Sequence, residues 1–354
     1  MTSGTERLAP AFRVRINGAD LPPPAAADVV QVTVHQDVYA PSMFELRMIN
    51  RDQQKLRVTW SDDALFAEGS EAEILMGYTG KLVSVLAGEI TGLEPEFHAG
   101  EVPMLTVRGH DRRHRLLRGR KTRSFTQLKD SDIASQIASE AGLTAEVEDT
   151  QVTLDYVLQH NQSDWEFLLA RARRLGFEVV VDGKKLQFQP HKNDGSEVVT
   201  LSRDSDLIEF YPRLSTLGLV GEVVVQGWSP KDKEAIQGKA KAGAEGTTMG
   251  GSTGGPAAAD KAFDAAVGTM VDRPVFSQAE ADQIALGRLQ EMALSYVTGE
   301  GVAIGRTDLK AGTVLKIEGF GRRFSGLYYL ASIRHTYSPA RGYRTEFGVR
   351  RNAT

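Results

Sequence analysis

The sequence predicts a mainly β protein with α+β insertions, on three observations. Short segments near both ends of the chain alternate apolar and polar residues with a period of two, as half-buried strands do. A helix-then-hairpin pattern occupies the middle, from Leu154 to Phe188. A tract rich in Gly, Ala, Ser and Thr from Gly238 to Pro256 breaks the late strands into two groups. With 354 residues, two or three domains are expected at roughly 100–200 residues each. The 41% hydrophobic and 25% charged content is enough to build more than one core.

Taken in order, Phe12, Val14 and Ile16 alternate with Arg13, Arg15 and Asn17, and the strand ends at Asn17-Gly18. Pro22-Pro23-Pro24 reads as a stiff loop. Val30, Val32 and Val34 form the next strand, Phe44, Leu46 and Met48 another, and Ala72–Tyr78, Val83–Leu93 and Met104–Gly109 follow. Many short strands at close spacing read as a barrel or sandwich. A second module begins near Phe125. Asp130 or Ser131 is placed to cap a helix carrying Ile133, Ile137 and Ala141, and Gly142 to end it. Ser163 and Glu166 form an S-x-x-E capping box. Trp165, Leu168, Leu169, Ala172 and Leu175 then share one helical face, and Gly176 is placed to end the helix. Val179 and Val181, a turn at Asp182-Gly183, and Leu186 and Phe188 make a hairpin. Leu207 to Trp228 returns to strand signals. The tract at Gly238–Pro256 reads as a flexible linker or mobile loop, since it has little to bury. Ser277 and Glu280 give another capping box, for a helix with Ala281, Ile284, Ala285, Leu289 and Met292 on one side. Tyr296–Ile304, Val314–Gly319, Tyr328–His335 and Thr345–Val349 are the closing strands.

Several of these stretches carry a resemblance. DWEFLLARARRLGF, with Asp164, Phe167, Leu168, Arg171, Gly176 and Phe177 followed by the hairpin, is similar to the middle of phage late control protein D and of the VgrG proteins. These are baseplate hubs of contractile tails and injection systems. LAGEITGLEPEF and LTVRGHDRRHRLLRGR resemble the first barrel of that family, and EVVVQGWSPKDKEAIQGKA the start of its second. The closing GEGVAIGRTDLKAGTVLKIEGFGRRFSGLYYLASIRHTY completes the match. The resemblance implies two tandem tail-tube-like β-barrels that form a pseudo-sixfold ring as a trimer. It divides the chain into a first barrel at 1–111, an α+β insert at 112–200, a second barrel at 201–230 and 297–354, and an insertion at 231–296 with the Gly-rich loop and a helix. It implies a structural adaptor joining the hexameric inner tube to the trimeric spike. The partners would be sister copies, the inner tube protein, other baseplate proteins, and DNA or effector cargo passing through the channel. Because the sequence stops at Thr354, after the barrel strands, the spike is expected on a separate polypeptide.

The totals bound the alternatives. The net charge is -4, which gives no general reason to bind nucleic acid. There is no cysteine, which removes disulfides, thiolate metal sites and cysteine nucleophiles and fits assembly in a reducing bacterial cytoplasm before incorporation into a virion or injection particle. MTSGTERLAP lacks the apolar core of a signal peptide, and no run reaches the ~18 apolar residues of a membrane span.

Several motifs bear on chemistry. Arg112, Arg113, Arg115, Arg118, Arg120, Lys121 and Arg123 read either as a nucleic-acid patch or as an interface. The acidic chain and the absence of interleaved aromatics favour an interface between domains or subunits, away from the channel. His110-Asp111-x-x-His114 has Asp where a zinc helix motif needs Glu, and lacks a third ligand. Gly299-x-Gly301-x-x-x-Gly305 has Ile304 where a dinucleotide fingerprint needs glycine, and no βαβ pattern surrounds it. Asp62-Asp63 and the pair Glu94/Glu96 are read as turn or surface acids rather than a hydrolytic pair. Trp60, Trp165 and Trp228 are expected to be packed side chains. No catalytic, cofactor-binding or metal-binding residue is therefore assigned, no cofactor is expected, and the protein is expected not to be an enzyme. The alternatives are a glycan- or nucleic-acid-binding module and, behind it, a cell-wall hydrolase.

Overall fold

The computed structural model describes residues 9–52, 57–229, 232–271 and 274–354. The stretch read for a leader and the end of the expected second-barrel segment at 230 lie outside these, apart from Ala9 and Pro10. The architecture is dominated by one sheet of thirteen strands. Along it run Leu207–Leu214, Val297–Ile304, Gly342–Arg351, Gly326–Ser338, Val29–Asp37, Met43–Ile49, Met104–His110 and Lys81–Glu96, then Glu71–Tyr78 and Pro10–Ile16. Its first eight strands are two four-stranded units in tandem, all antiparallel.

The units are duplicates in detail. Leu207–Leu214 corresponds to Val29–Asp37, Val297–Ile304 to Met43–Ile49, Gly342–Arg351 to Met104–His110, and Gly326–Ser338 to Lys81–Glu96. The register shifts between Val29 and Gln31 in one unit and between Leu207 and Glu209 in the other. It shifts again between Ile90 and Gly92, and between Leu330 and Ser332. Both bulges therefore fall at equivalent places, although the sequence holds no visible repeat. A bulge bends and twists a strand, so matched bulges give the units matched curvature. Val14, Val32, Val34, Phe44, Leu46, Ile74 and Val107 fill the core of the first unit, and Leu201, Leu315, Ile317, Leu330, Phe347 and Val349 that of the second. Each such side chain contributes roughly 1.5–3 kcal/mol by leaving water. Period-two alternation put them all on one face.

The middle module forms as local signals dictate. In the Asp164–Leu175 helix the Glu166 amide donates to Ser163 Oγ at 3.2 Å, and the Ser163 amide donates back to Glu166 Oε2 at 2.9 Å. Gly176 ends the helix with φ at 69°. The hairpin turn falls one residue later than expected: Asp182 pairs with Lys185, so Gly183 and Lys184 make the loop. The left-handed φ of 57° needed there is free for Gly183 and costly for aspartate. The Asp130–Glu140 helix is capped from neither Asp130 nor Ser131. Lys129 precedes it, its amide donating to Asp132 Oδ2 at 3.0 Å, while Asp130 is held by Arg171. Lys121–Lys129, the end of the basic stretch, is a strand beside Thr153–Gln162.

Three further expectations are corrected. Pro23–Asp28 is a short helix rather than a loop, because proline at its first position needs no amide partner. Glu222–Ser229, expected beside the closing strands, pairs instead with Glu234–Lys241 and Val267–Met270 in a separate sheet. Val223 and Val225 pack there on Ala281, Ile284, Ala285 and Leu289 of the Gln278–Ala293 helix. A run of valines satisfies any buried strand and does not say which sheet it joins. Nor is Gly238–Pro256 a flexible linker. It begins in a strand, returns to a bridge between Gly254 and Ala353, and starts the Gly255–Phe263 helix. A Cβ on Gly238 would lie 2.1 Å from the backbone of Ala281, so that glycine permits contact rather than motion.

Candidate functional site

The basic stretch proves to be a fastening between modules. Arg113 is 2% exposed. Its Nε donates to Asp111 Oδ2 at 2.7 Å, Nη1 to the Asp37 carbonyl at 2.9 Å and Nη2 to Ser42 Oγ at 2.6 Å. Its guanidinium also sits 5.7 Å from the Trp165 ring of the middle module. Arg115 grips Glu89 through two bonds of 2.8 and 2.6 Å, and His114 Nε2 meets the same carboxylate at 2.9 Å. Burial alone would push Glu89 up, but the hydrogen bonds from Arg115 and His114 outweigh it and hold Glu89 below the usual carboxylate range. Arg112 reaches Glu71 at 2.5 Å. Further on, Arg120 binds Glu166 at 2.9 Å, Lys121 binds Asp164 at 2.7 Å, and Arg123 binds Glu140 at 2.6 Å. The first part of the run is anchored in the first four-stranded unit and the second in the middle module. With six of its seven cations matched to carboxylates, the stretch offers little free charge to a polyanion.

The remaining motif residues have structural partners. His110 Nδ1 lies 2.8 Å from Thr91 Oγ1, so it and His114 serve different neighbours. Among the described residues no group of three or more His, Asp or Glu is arranged to hold a metal. Asp63 Oδ1 accepts the Leu65 amide at 2.9 Å, and Glu94 and Glu96 bind Arg108 and Arg47, each at 3.2 Å. Gly299 and Gly301 lie in a strand of the second unit, where the Phe347 ring covers Gly301. Trp60 and Trp165 are buried, and Trp60 Nε1 donates to Asp28 at 2.7 Å. Trp228 is not packed: it is 56% exposed, on the face of its small sheet turned away from the Gln278–Ala293 helix. Among the described residues no helix is long and apolar enough to cross a membrane.

A second junction was not foreseen at all. Four modules meet at His191, which is 8% exposed. Its Nδ1 lies 3.2 Å from Glu178 of the hairpin and its Nε2 3.0 Å from Glu291 of the Gln278–Ala293 helix. Tyr329 of the second unit donates its hydroxyl to Glu178. Tyr39, just past the Val29–Asp37 strand, donates to Glu291 at 3.3 Å, and Arg350 Nη1 reaches Glu291 at 3.2 Å. Burial by itself would lower His191, but hydrogen bonds to Glu178 and Glu291 outweigh it and raise it to about 9. For Glu291, burial is likewise outweighed, by the His191 hydrogen bond and the charges of His191 and Arg350, and it falls to about 2. Burial and the charge of Glu178 push Tyr329 well above its ordinary value. Two cations thus face two carboxylates, which is the condition for burying charge at tolerable cost. The one sequence signal was Glu178, a charged residue where the strand runs into valines. Close by, Arg174 Nη2 binds Glu280 at 2.7 Å, and the two helices touch at Gly287, where a Cβ would lie 2.4 Å from Leu175.

The surface has one further feature, the two ends of the tandem units. Leu207–Leu214 ends the sheet path, and Gly92–Glu96 has Met104–His110 on one side and no described strand on the other.

A family model described as Alg8 N-terminal domain matches residues 7–339. No curated protein matches by sequence. Solved structures do. The 43 kDa tail protein of prophage MuSo2 from Shewanella oneidensis aligns with a TM-score of 0.71 at 14% identity, over 97% of this chain and 98% of that one. A tail protein from Neisseria meningitidis gives 0.69 at 14% identity, over 97% and 96%. An Escherichia coli component of the type VI secretion system, described as structurally similar to T4 bacteriophage tail proteins gp27 and gp5, gives 0.63 at 13% identity, over 96% and 77%. At such identities these likenesses establish the fold: it is that of phage tail proteins and of their secretion-system counterparts, as the resemblance of DWEFLLARARRLGF and its neighbours implied.

Proposed function

This chain belongs to the family described as Alg8 N-terminal domain, and we propose that it is the baseplate hub of a contractile tail or injection particle. In this reading each copy gives two tube-like barrels, one built on Val29–Asp37, Met43–Ile49, Lys81–Glu96 and Met104–His110 and the other on Leu207–Leu214, Val297–Ile304, Gly326–Ser338 and Gly342–Arg351, with the insert at 112–200 between them and Glu222–Ser229 grouped with the later insertion. Three copies close a pseudo-sixfold ring that joins a hexameric inner tube to a trimeric spike. The role is mechanical, without catalysis or cofactor. The ring holds the spike, seeds the tube and lets DNA or effector cargo pass, in contact with other baseplate proteins.

The observation that carries the reading is the duplicated sheet with two open ends. An open strand edge is a template for pairing, and soluble proteins cover it. Two like units in one chain give three copies six like positions, and a head-to-tail contact repeated three times closes without leaving an edge. The paired state of the basic stretch supports the same reading, since a conduit must not hold its cargo. The test is solution mass: a trimer of 38.6 kDa chains weighs about 116 kDa. A protein that stays at the single-chain mass, alone and with its tube and spike neighbours, refutes the ring.

A further inference from the structure

The two units share strand order and both bulge positions, so each residue of one has a counterpart in the other. Within the chain they are joined by a seam in which Gly326–Ser338 runs antiparallel to Val29–Asp37, from Ser332 opposite Asp37 to Tyr337 opposite Val32. The counterpart of the first strand is Lys81–Glu96, with Gly92 standing where Ser332 stands. The counterpart of the second is Leu207–Leu214, with Phe210 standing where Val32 stands. These counterparts carry the two open edges. We propose that the seam seen inside the chain is repeated between copies: Gly92–Phe97 of one copy pairs antiparallel with Phe210–Ser215 of the next. Glu94 then faces Arg213, Glu96 faces Tyr211, and Phe97 faces Phe210.

The register rests on the proposed ring but is fixed by the bulges alone, and the side chains agree with it. Leu93, Pro95 and Phe97 fall opposite Leu214, Pro212 and Phe210, apolar against apolar on the core face. Gly92, Glu94 and Glu96 fall opposite Ser215, Arg213 and Tyr211 on the polar face. A slip by one residue would set Glu94 against Pro212 or Leu214 and mix the faces. The two prolines meet, so neither edge presents an amide there that the other must satisfy. Phe97 is 60% exposed and Tyr211 68%, large rings left in water in the single chain. Arg213 has no ion-pair partner among the described residues. Arg108, which binds Glu94 at 3.2 Å, has a second carboxylate in Glu45 at 2.7 Å, so Glu94 is free to be shared. The occupant of each edge is therefore a second copy of this chain.

The chain contains no cysteine, so the seam can be read by disulfide trapping in the full-length protein. Glu94→Cys with Arg213→Cys, oxidised, yields covalent trimers on a non-reducing gel. Either single variant does not, nor does the offset pair Glu94→Cys with Pro212→Cys. In a second measurement, Glu94→Arg or Arg213→Glu alone weakens association about tenfold or more, and the two together restore it. A trimer by mass that traps only the offset pair, or that shows neither trapping nor charge-swap rescue, overturns the seam and leaves the ring standing. A chain that never exceeds its single mass overturns the ring and the seam with it.

Discussion

Replacing His191 by glutamine takes one cation out of a buried cluster that also holds Glu178, Glu291 and Arg350. The folded chain raises His191 from 6.5 to about 9. Folding therefore favours the protonated ring. The resulting stability is fully present below pH 6.5, declines as the pH rises, and is lost once the pH passes about 9. At about 1.4 kcal/mol for each pH unit of displacement, the cluster contributes on the order of 3 kcal/mol at pH 6 that is gone above pH 9. With the side chain only 5% exposed, solvent screens little of this. Glu291, held at about 2, has the opposite sign: its contribution is present above 4.5 and lost as the pH falls through about 2. Urea unfolding of the native protein and of His191→Gln, each at pH 6 and pH 9.5, isolates what depends on the histidine together with the carboxylates it holds. The native protein should lose about 3 kcal/mol more across that interval than the variant, and at pH 6 the variant should already be weaker by about 3–5 kcal/mol, since two buried carboxylates have lost their shared partner. Equal pH slopes in the two proteins would refute the argument.

Two other substitutions probe the module contacts. Gly287→Ala places a methyl 2.4 Å from the backbone of Leu175, so the two helices must part, at about 1–3 kcal/mol by denaturant midpoint. Arg113→Ala strands Asp111 in a site where both are 2% exposed and should cost about 3–5 kcal/mol, while Arg118→Ala, on the exposed part of the same stretch, should stay within about 0.5 kcal/mol. Equal effects at Arg113 and Arg118 would mean that the stretch is not a fastening.

What could be read from the sequence was whatever is settled within one or two turns of chain. Ser163, Glu166 and Gly176 bound their helix because both ends are satisfied locally. The strands of both units were legible because each buries one face. Their grouping was not, because Val223 and Val225 bury equally well in either sheet. The glycine tract hides its order because composition does not distinguish a glycine that supplies freedom from one, such as Gly238, that supplies closeness. The His191 junction was invisible for a different reason. Glu291 lies 100 residues from His191, and Tyr329 lies 151 from Glu178, so nothing local marks them as partners. Arg112–Arg123 looked like a patch because its carboxylates are scattered from Glu71 to Glu166.

The placement of the two buried junctions bears on how such a ring could form. Head-to-tail closure succeeds only if the angle between the two units of one copy is fixed, since an error per copy is multiplied three times around the ring. A seam of strand hydrogen bonds is pliable in twist and cannot fix that angle by itself. Arg113 ties the first unit to the middle module through Asp111, Ser42 and Trp165, and His191 ties that module to the second unit and to the Gln278–Ala293 helix. The insert thus braces the intrachain seam from the side. Buried ion pairs suit that task better than apolar packing would: they add little net stability but tolerate few alternative geometries. On this argument His191→Gln should impair closure of the proposed ring separately from its folding cost of about 3–5 kcal/mol, with trimer mass lost at pH 6 under conditions where the single chain is still folded.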